Sequence, residues 1–259
     1  MTSKKVYFAS DIHLGLPTPE GALTREKLFV SWLDTIKRDA SEIFLVGDIF
    51  DFWYEYKRVV PKGFTRFLGK IAEITDSGIP VHFFTGNHDV WMFDYLPKEI
   101  GVQLHRKPIV REFNGKKFYI GHGDGLGKGD YGYKLLKSIF TNRVLQWLFS
   151  RLHPNFSLWL GNRWSVSSRN SKDVTYQFKG DDELITKFAQ QTLASENYDF
   201  FVFGHWHAAI IHRLTPNANL VILGDWIVNN TFACWDGQYM NLKEYNPNPL
   251  SESHLIARV

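Results

Sequence analysis

Short apolar runs recur along the chain, and five of them break off at Asp, Asn or His. The runs are Val6–Ala9, Ile43–Val46, Val81–Phe84, Phe118–Ile120 and Phe200–Phe203. Read as strands, they carry their polar residues to one edge of a sheet. Helices are predicted between the first three. In Thr24–Lys37, Leu28, Trp32 and Ile36 recur at every fourth position and share a face with Leu33. In Phe64–Thr75 the apolar positions are Phe64, Phe67, Leu68, Ile71 and Ile74; Gly78 ends that helix and Pro80 bars its continuation. The second half reads as hairpins. Asn114-Gly115 separates Pro108–Phe113 from Lys117–Ile120, and Asp236-Gly237 is a second turn signal. Further strands are expected at Ile210–Leu214, Leu220–Leu223, Ile227–Ala233 and Met240–Glu244.

Strand–helix alternation followed by hairpins predicts an α/β fold of two β-sheets packed face to face with helices outside. A long helical region, roughly Tyr131–Ala194, separates the halves. Within it, residues 123–179 interrupt the strand series and are expected to form an inserted helical cap on a single domain spanning 1–259. The cap is aromatic and basic. It carries Phe140, Trp147, Phe149, Phe156, Trp159 and Trp164 among Lys134, Lys137, Arg143, Arg151, Arg163, Arg169, Lys172 and Lys179. Core packing of a helical hairpin accounts for such aromatics; an acyl-chain groove using Trp147, Phe149, Leu152, Trp159 and Trp164 accounts for them too.

Composition adds limits. Of 259 residues, 44% are hydrophobic and 22% charged, which excludes a disordered chain. The net charge of +3 is too weak for nucleic-acid binding to be expected. The one cysteine, Cys234, forms no intramolecular disulfide, which suits the cytosol. Met1–Lys5 lacks an apolar signal core, and no stretch approaches the ~18 apolar residues of a spanning helix. A cytoplasmic protein is expected, peripheral at most on the inner face of a membrane.

The polar residues after the runs define the chemistry. They are Asp11-Ile12-His13, Gly47-Asp48, Gly86-Asn87-His88-Asp89, Gly121-His122-Gly123-Asp124 and Gly204-His205-Trp206-His207. Carboxylates and imidazoles together suit manganese, iron, zinc or cobalt. Asp48 is the candidate bridge between two divalent ions about 3.5–4 Å apart. Asp11, His13 and His207 would complete one site, and Asn87, His122 and His205 the other. Asp11 and His13 lie two apart, as do His205 and His207, so in extended chain each pair would point the same way. Such a centre attracts phosphate and lowers the pKa of a bound water. His88 is expected to protonate the leaving oxygen or to stabilise phosphoryl charge. Asp89 would orient His88 or cap the next helix, and Asp51 and Asp124 would support ligands or cap turns.

In that order, the five blocks resemble the calcineurin-like metallophosphoesterases. The resemblance implies a four-layer αββα sandwich of two mixed β-sheets flanked by helices. It also implies a dinuclear centre, manganese first among its metals, that activates water for in-line attack. A narrower resemblance rests on Asp48-Ile49-Phe50-Asp51-Phe52-Trp53, the insertion after the fourth block, and Leu223-Gly224-Asp225-Trp226. These are similar to the bacterial UDP-2,3-diacylglucosamine diphosphatases of lipid A synthesis. That likeness implies a lipid-nucleotide substrate, whose phosphates Asn87 and His88 would meet; Arg169, Asn170 and Lys172 would hold its diphosphate by charge-assisted hydrogen bonds, or form a solvated charged turn. The chain departs from that branch in having His88 where the branch has Arg, and Ala208-Ala209 where it continues Arg-Pro. The alternatives are a phosphoesterase of soluble diesters, monoesters or dinucleotides, and a metal-free scaffold that binds a protein partner.

Overall fold

A computed structural model describes residues 4–17, 21–127, 131–170, 177–248 and 253–259. Two mixed sheets form its centre. The first runs β12-β11-β10-β1-β2-β3-β4, and the second β5-β6-β7-β9-β8. Their strands are β1 (Lys5–Ala9), β2 (Ala40–Val46), β3 (Val81–Phe84), β4 (Gln103–His105), β5 (Ile109–Phe113), β6 (Lys116–Gly121), β7 (Phe200–Phe203), β8 (Ala209–Thr215), β9 (Ala218–Leu223), β10 (Thr231–Trp235), β11 (Met240–Glu244) and β12 (His254–Arg258). Strands β1 to β4 are mutually parallel, as are β6, β7 and β9. The remaining neighbours pair antiparallel.

The apolar runs, interrupted only by His82, follow from burial on both faces. Val6, Phe8, Phe44 and Val46 point between the sheets and meet Phe118, Ile120, Phe200 and Val202. Their alternates Tyr7, Ala9, Ile43 and Leu45 point outward, against α1 (Ala22–Ile36) and α2 (Thr65–Asp76). On the far side, Phe201, Phe203, Leu220 and Ile222 pack on Ile185 and Ala189 of α6 (Leu184–Leu193). Helix, sheet, sheet and helix are therefore four successive layers. The Asn114-Gly115 turn has positive φ at both residues (53° and 75°), the geometry that closes a two-residue hairpin.

Between β6 and α6 lie α3 (Tyr131–Thr141), α4 (Arg143–Phe149) and α5 (Pro154–Asn170). They dock on the loops after β2 and β3. Tyr54 donates from its hydroxyl to Gln146 O (2.8 Å), and Trp91 Nε1 donates to Phe140 O (2.7 Å). Phe52, Tyr54 and Trp91 are buried beneath Phe140, Phe149 and Leu158. Of the five residues that an acyl-chain groove would use, four lie in different surroundings. Phe149 packs on Tyr54 and Trp91, Trp164 packs on Phe140, and Trp147 and Trp159 face solvent.

One predicted strand shifts. Ile227–Ala233 is strand only from Thr231, because Asp225 Oδ1 accepts the Ile227, Val228 and Asn229 amides and winds them into a loop. Edge strands β4 and β12 and a π-helical turn at Leu96–Ile100 were not anticipated from the sequence.

Candidate metal centre

Parallel strands end at a common rim, and the five polar blocks follow the C-termini of β1, β2, β3, β6 and β7, where open α/β sheets gather ligands. Loop-to-loop hydrogen bonds hold the blocks together. Asp11 N donates to Gly47 O (3.1 Å), His13 N to Asp48 O (3.0 Å) and Gly204 N to His122 O (3.1 Å). The backbone is not extended here. Asp11, His13, Asp48, His205 and His207 all take left-handed conformations, with φ of 47–71°. The expectation that paired residues point the same way therefore fails for His205 and His207, which join different groups.

One group is Asp11, His13 and His207; another is Asp48, His122 and His205. Asp48 stands between them: its Oδ2 is 3.9 Å from His13 Nε2 and 3.2 Å from His122 Nε2. His207 Nε2 and His13 Nε2 lie 3.5 and 3.9 Å from Asp11 Oδ1. Asn87 Oδ1 is 3.4 Å from His122 Nε2. The two motif glycines nearest Asp48 are there because nothing larger fits. A Cβ on Gly86 would lie 2.1 Å from Asp48 Oδ1, and one on Gly47, which has φ +83°, 2.4 Å from His122 Nδ1.

Four of the candidate ligands are aimed by their other atoms. His13 Nδ1 donates to Asp51 Oδ1 (3.2 Å) and His122 Nδ1 to the Val46 carbonyl (2.9 Å), which turns both Nε2 atoms inward. Asp11 Oδ2 accepts the His205 amide (2.9 Å) and Asp48 Oδ1 the His88 amide (2.9 Å), which turns the second oxygens inward. Asp11 Oδ1 and His13 Nε2 are buried without a hydrogen-bond partner. Buried orphans of this kind call for an occupant. With Nδ1 protonated, neutral His122 has a lone pair on Nε2, so Nε2, Asn87 Oδ1 and Asp48 Oδ2 are three acceptors converging on one point. Divalent cations satisfy both groups, and the mixed carboxylate, amide and imidazole donors fit them.

Without cations, protons fill that need. Burial lowers His122, but the Asp48 carboxylate outweighs it and raises the imidazole to about 10. Burial likewise lowers His13, and Asp51, Asp48 and Asp11 raise it on balance. Burial pushes Asp48 up, and the charges of His122, His88 and His13 hold it well below the usual carboxylate range.

His88 lies beside the centre, its ring 4.7 Å from that of His13, and is almost wholly buried. His13, Asp51 and His88 make a third compact group. Asp89 neither orients His88 nor caps a helix. Its carboxylate accepts the amides of Ile49, Phe50 and Gly86, locking the second block to the third. Asp124 accepts from Tyr133 and from Lys137 (2.6 Å), anchoring α3. Lys172 lies outside the described residues, and so do the side chains of Arg169 and Asn170, whose backbone ends α5. Sequence reasoning noticed Asp225 without giving it a role. It follows the apolar run of β9 as the other blocks follow theirs, and its Oδ2 is 4.0 Å from His207 Nδ1. Ser165, also overlooked, approaches His88.

Two clefts flank the centre. One, beside Asn87, is lined by Val90, Tyr133, Leu136, Lys137, Phe140 and Trp164. The other, beside His122, is lined by His105, Arg106, Lys107 and Lys137 among others. The first is apolar with one cation; the second is basic.

A family profile described as calcineurin-like phosphoesterase matches residues 4–209. A protein of Porphyromonas gingivalis named UDP-2,3-diacylglucosamine hydrolase is 38% identical over 253 residues, covering 92% of this chain and 97% of that protein. Proteins of the same name from Histophilus somni and Vibrio atlanticus are 27% and 26% identical, over 86% and 92% of this chain and 92% and 96% of theirs.

Proposed function

We propose that this chain, which belongs to the calcineurin-like phosphoesterases and is a hydrolase of phosphate esters, splits the pyrophosphate of UDP-2,3-diacylglucosamine. The products would be UMP and 2,3-diacylglucosamine 1-phosphate. The observation that carries this reading is the pair of candidate ligand groups that meet at Asp48, in a chain 38% identical over most of its length to a protein named UDP-2,3-diacylglucosamine hydrolase. Lys137 borders both small clefts beside the centre, where its ammonium would meet a phosphate. The names of the relatives support the reading.

Asp11, His13 and His207 would hold one cation, Asn87, His122 and His205 the other, and Asp48 both. Manganese is the first choice, with iron, zinc and cobalt compatible with the same donors. When bound, the pair supplies positive charge for the phosphate and a water of lowered pKa. The chain supplies the rest. Asp48 fixes the spacing of the two groups. Asn87 and His88 face the phosphate. His88, whose Nδ1 donates to the carbonyl of Asp51, presents Nε2 for proton transfer to the leaving oxygen or for stabilising its charge. Phe140 and Trp164 pack edge to face in the wall of the apolar cleft.

Among the described residues no helix is long and apolar enough to cross a membrane. The outer face of α3, α4 and α5 nevertheless exposes Leu135, Ile139, Leu148, Trp147, Phe156 and Trp159. Arg151 lies over the Trp147 ring (4.7 Å) and Arg163 over Trp159 (5.7 Å). Apolar rings beneath cations suit the boundary of an anionic bilayer, from which an acylated substrate would be drawn. The test is metal-dependent turnover. Chelated protein should not hydrolyse the lipid nucleotide, and manganese should restore hydrolysis to UMP and the lipid phosphate. Undiminished turnover after complete chelation would defeat the proposal.

A further inference from the structure

Helix α5 touches the loop after β2 through one stripe. Ser157, Gly161 and Ser165 recur every fourth residue and all three are buried. Ser157 Oγ hydrogen-bonds the Tyr56 hydroxyl. At Gly161 the approach is so close that a Cβ would stand 2.2 Å from the Phe52 ring. The register of α5 on this loop is therefore tightly set, and it delivers Ser165 to the metal centre.

Ser165 Oγ lies 2.9 Å from His88 Nδ1, and 3.1 Å from both Asp51 O and Asp51 Oδ2. His88 Nδ1 is also 3.0 Å from the Asp51 carbonyl. A carbonyl only accepts, so Nδ1 carries the hydrogen and points it at Asp51 O and Ser165 Oγ together. That assigns the His88 tautomer and directs Nε2 away from α5. The hydroxyl proton of Ser165 is then available to Asp51 Oδ2, while Asp51 Oδ1 accepts from His13 Nδ1 (3.2 Å). One hydroxyl on the inserted helices thus contacts both the proposed acid and the carboxylate that aims a proposed metal ligand.

We infer that Ser165 is a positioning residue: through it, the seating of α5 sets the tautomer and orientation of His88 and, through Asp51, of His13. The inference rests on the role proposed for His88 but not on the identity of the substrate.

The experiment uses bis(p-nitrophenyl) phosphate as well as the lipid nucleotide, so that failure of the lipid reading is seen separately. Kinetics, bound metal and melting temperature are compared for wild type, Ser165→Ala, Ser165→Thr, Ser157→Ala, His88→Ala and the Ser165→Ala/His88→Ala double variant. Losing a hydrogen bond of this kind is worth about ten- to a hundredfold. Ser165→Ala should lower kcat by that factor on whichever substrates the wild type turns over, with KM and metal content kept. Ser165→Thr, which restores a hydroxyl, should recover most of the loss. Ser157→Ala, on the same stripe but away from His88, should keep wild-type kcat. In the double variant Ser165→Ala should add nothing to His88→Ala, because it acts through that ring. Additive losses, equal losses in Ser157→Ala and Ser165→Ala, or wild-type kcat in Ser165→Ala would each overturn the inference. Inactivity of every form toward the lipid alone, with this pattern intact on the diester, would leave it standing and defeat the substrate reading.

Discussion

Replacing Trp147 and Trp159 together by serine should release the protein from anionic vesicles without harming its chemistry. The side chains sit on α4 and α5, and the residues are 55% and 53% exposed. Neither contributes to the buried clusters that hold the sheets and helices together. Large aromatic side chains offer about 150–250 Å² each, so the exposed half of a tryptophan is on the order of 100 Å². At about 25 cal/mol per Å², burying that much in the acyl boundary contributes about 2.5 kcal/mol per ring, or about 5 kcal/mol for two. Incomplete insertion reduces this, and half the value still corresponds to about 50-fold in partitioning. The assay is co-sedimentation with vesicles containing an anionic lipid, alongside turnover of bis(p-nitrophenyl) phosphate. A fall of at least about 50-fold in partitioning, with diester turnover and melting temperature unchanged, is expected. Unchanged partitioning would refute the assignment of this face to a bilayer. Equal loss of binding and diester turnover would show that the tryptophans serve folding instead.

Other outcomes follow from the same geometry. Asp48→Ala should abolish turnover and weaken retention of both cations, measured by elemental analysis; an active variant with two tightly held ions would exclude Asp48 as the bridge. His88→Ala should lower kcat by about 10²–10⁴-fold with metal kept, whereas loss of metal would make His88 a ligand. His105 should set part of the acid limit of stability. Burial, with His82 and Arg111 nearby, depresses its pKa to about 4, while an unfolded histidine titrates near ~6.5. Above that value the ring is neutral in both states and its contribution is complete. As the pH falls from about 6.5 to 4 the unfolded chain binds the extra proton and stability is lost. The wild-type melting temperature should therefore drop more between pH 7 and pH 5 than that of His105→Gln, and identical drops would contradict the linkage.

What was legible in the sequence is what repeats locally. Strands β1, β2, β3, β6 and β7 could be read because both faces are largely buried near their C-terminal ends, which forces apolar runs there, interrupted only by His82. The Asp and His blocks stand out because each follows such a run. Strand β12 left no such trace, since His254, Leu255, Ile256 and Arg258 are exposed at the sheet edge and need no alternation. Roles fixed by distant partners were also hidden. Asp89 is next to His88 in the chain, yet its carboxylate serves the amides of Ile49 and Phe50, forty and thirty-nine residues away. Ser165 meets Asp51 across 114 residues, and a serine inside a helix carries no local mark of that contact. His82 and His105, 2.9 Å apart, are likewise joined only by the pairing of β3 with β4. Asp225 was the legible omission, because it follows β9 just as the five recognised blocks follow their strands.

The most direct test of the whole account is a comparison of kcat/KM for purified, manganese-loaded protein on UDP-2,3-diacylglucosamine and on the unacylated UDP-glucosamine core, with products separated. Each buried methylene is worth about 0.8 kcal/mol, so even a few carbons on each acyl chain should favour the lipid by more than about a thousandfold. UMP and diacylglucosamine 1-phosphate should appear in equal amounts. Equal or greater kcat/KM on the unacylated compound would contradict the lipid-nucleotide reading and leave a phosphoesterase of soluble substrates.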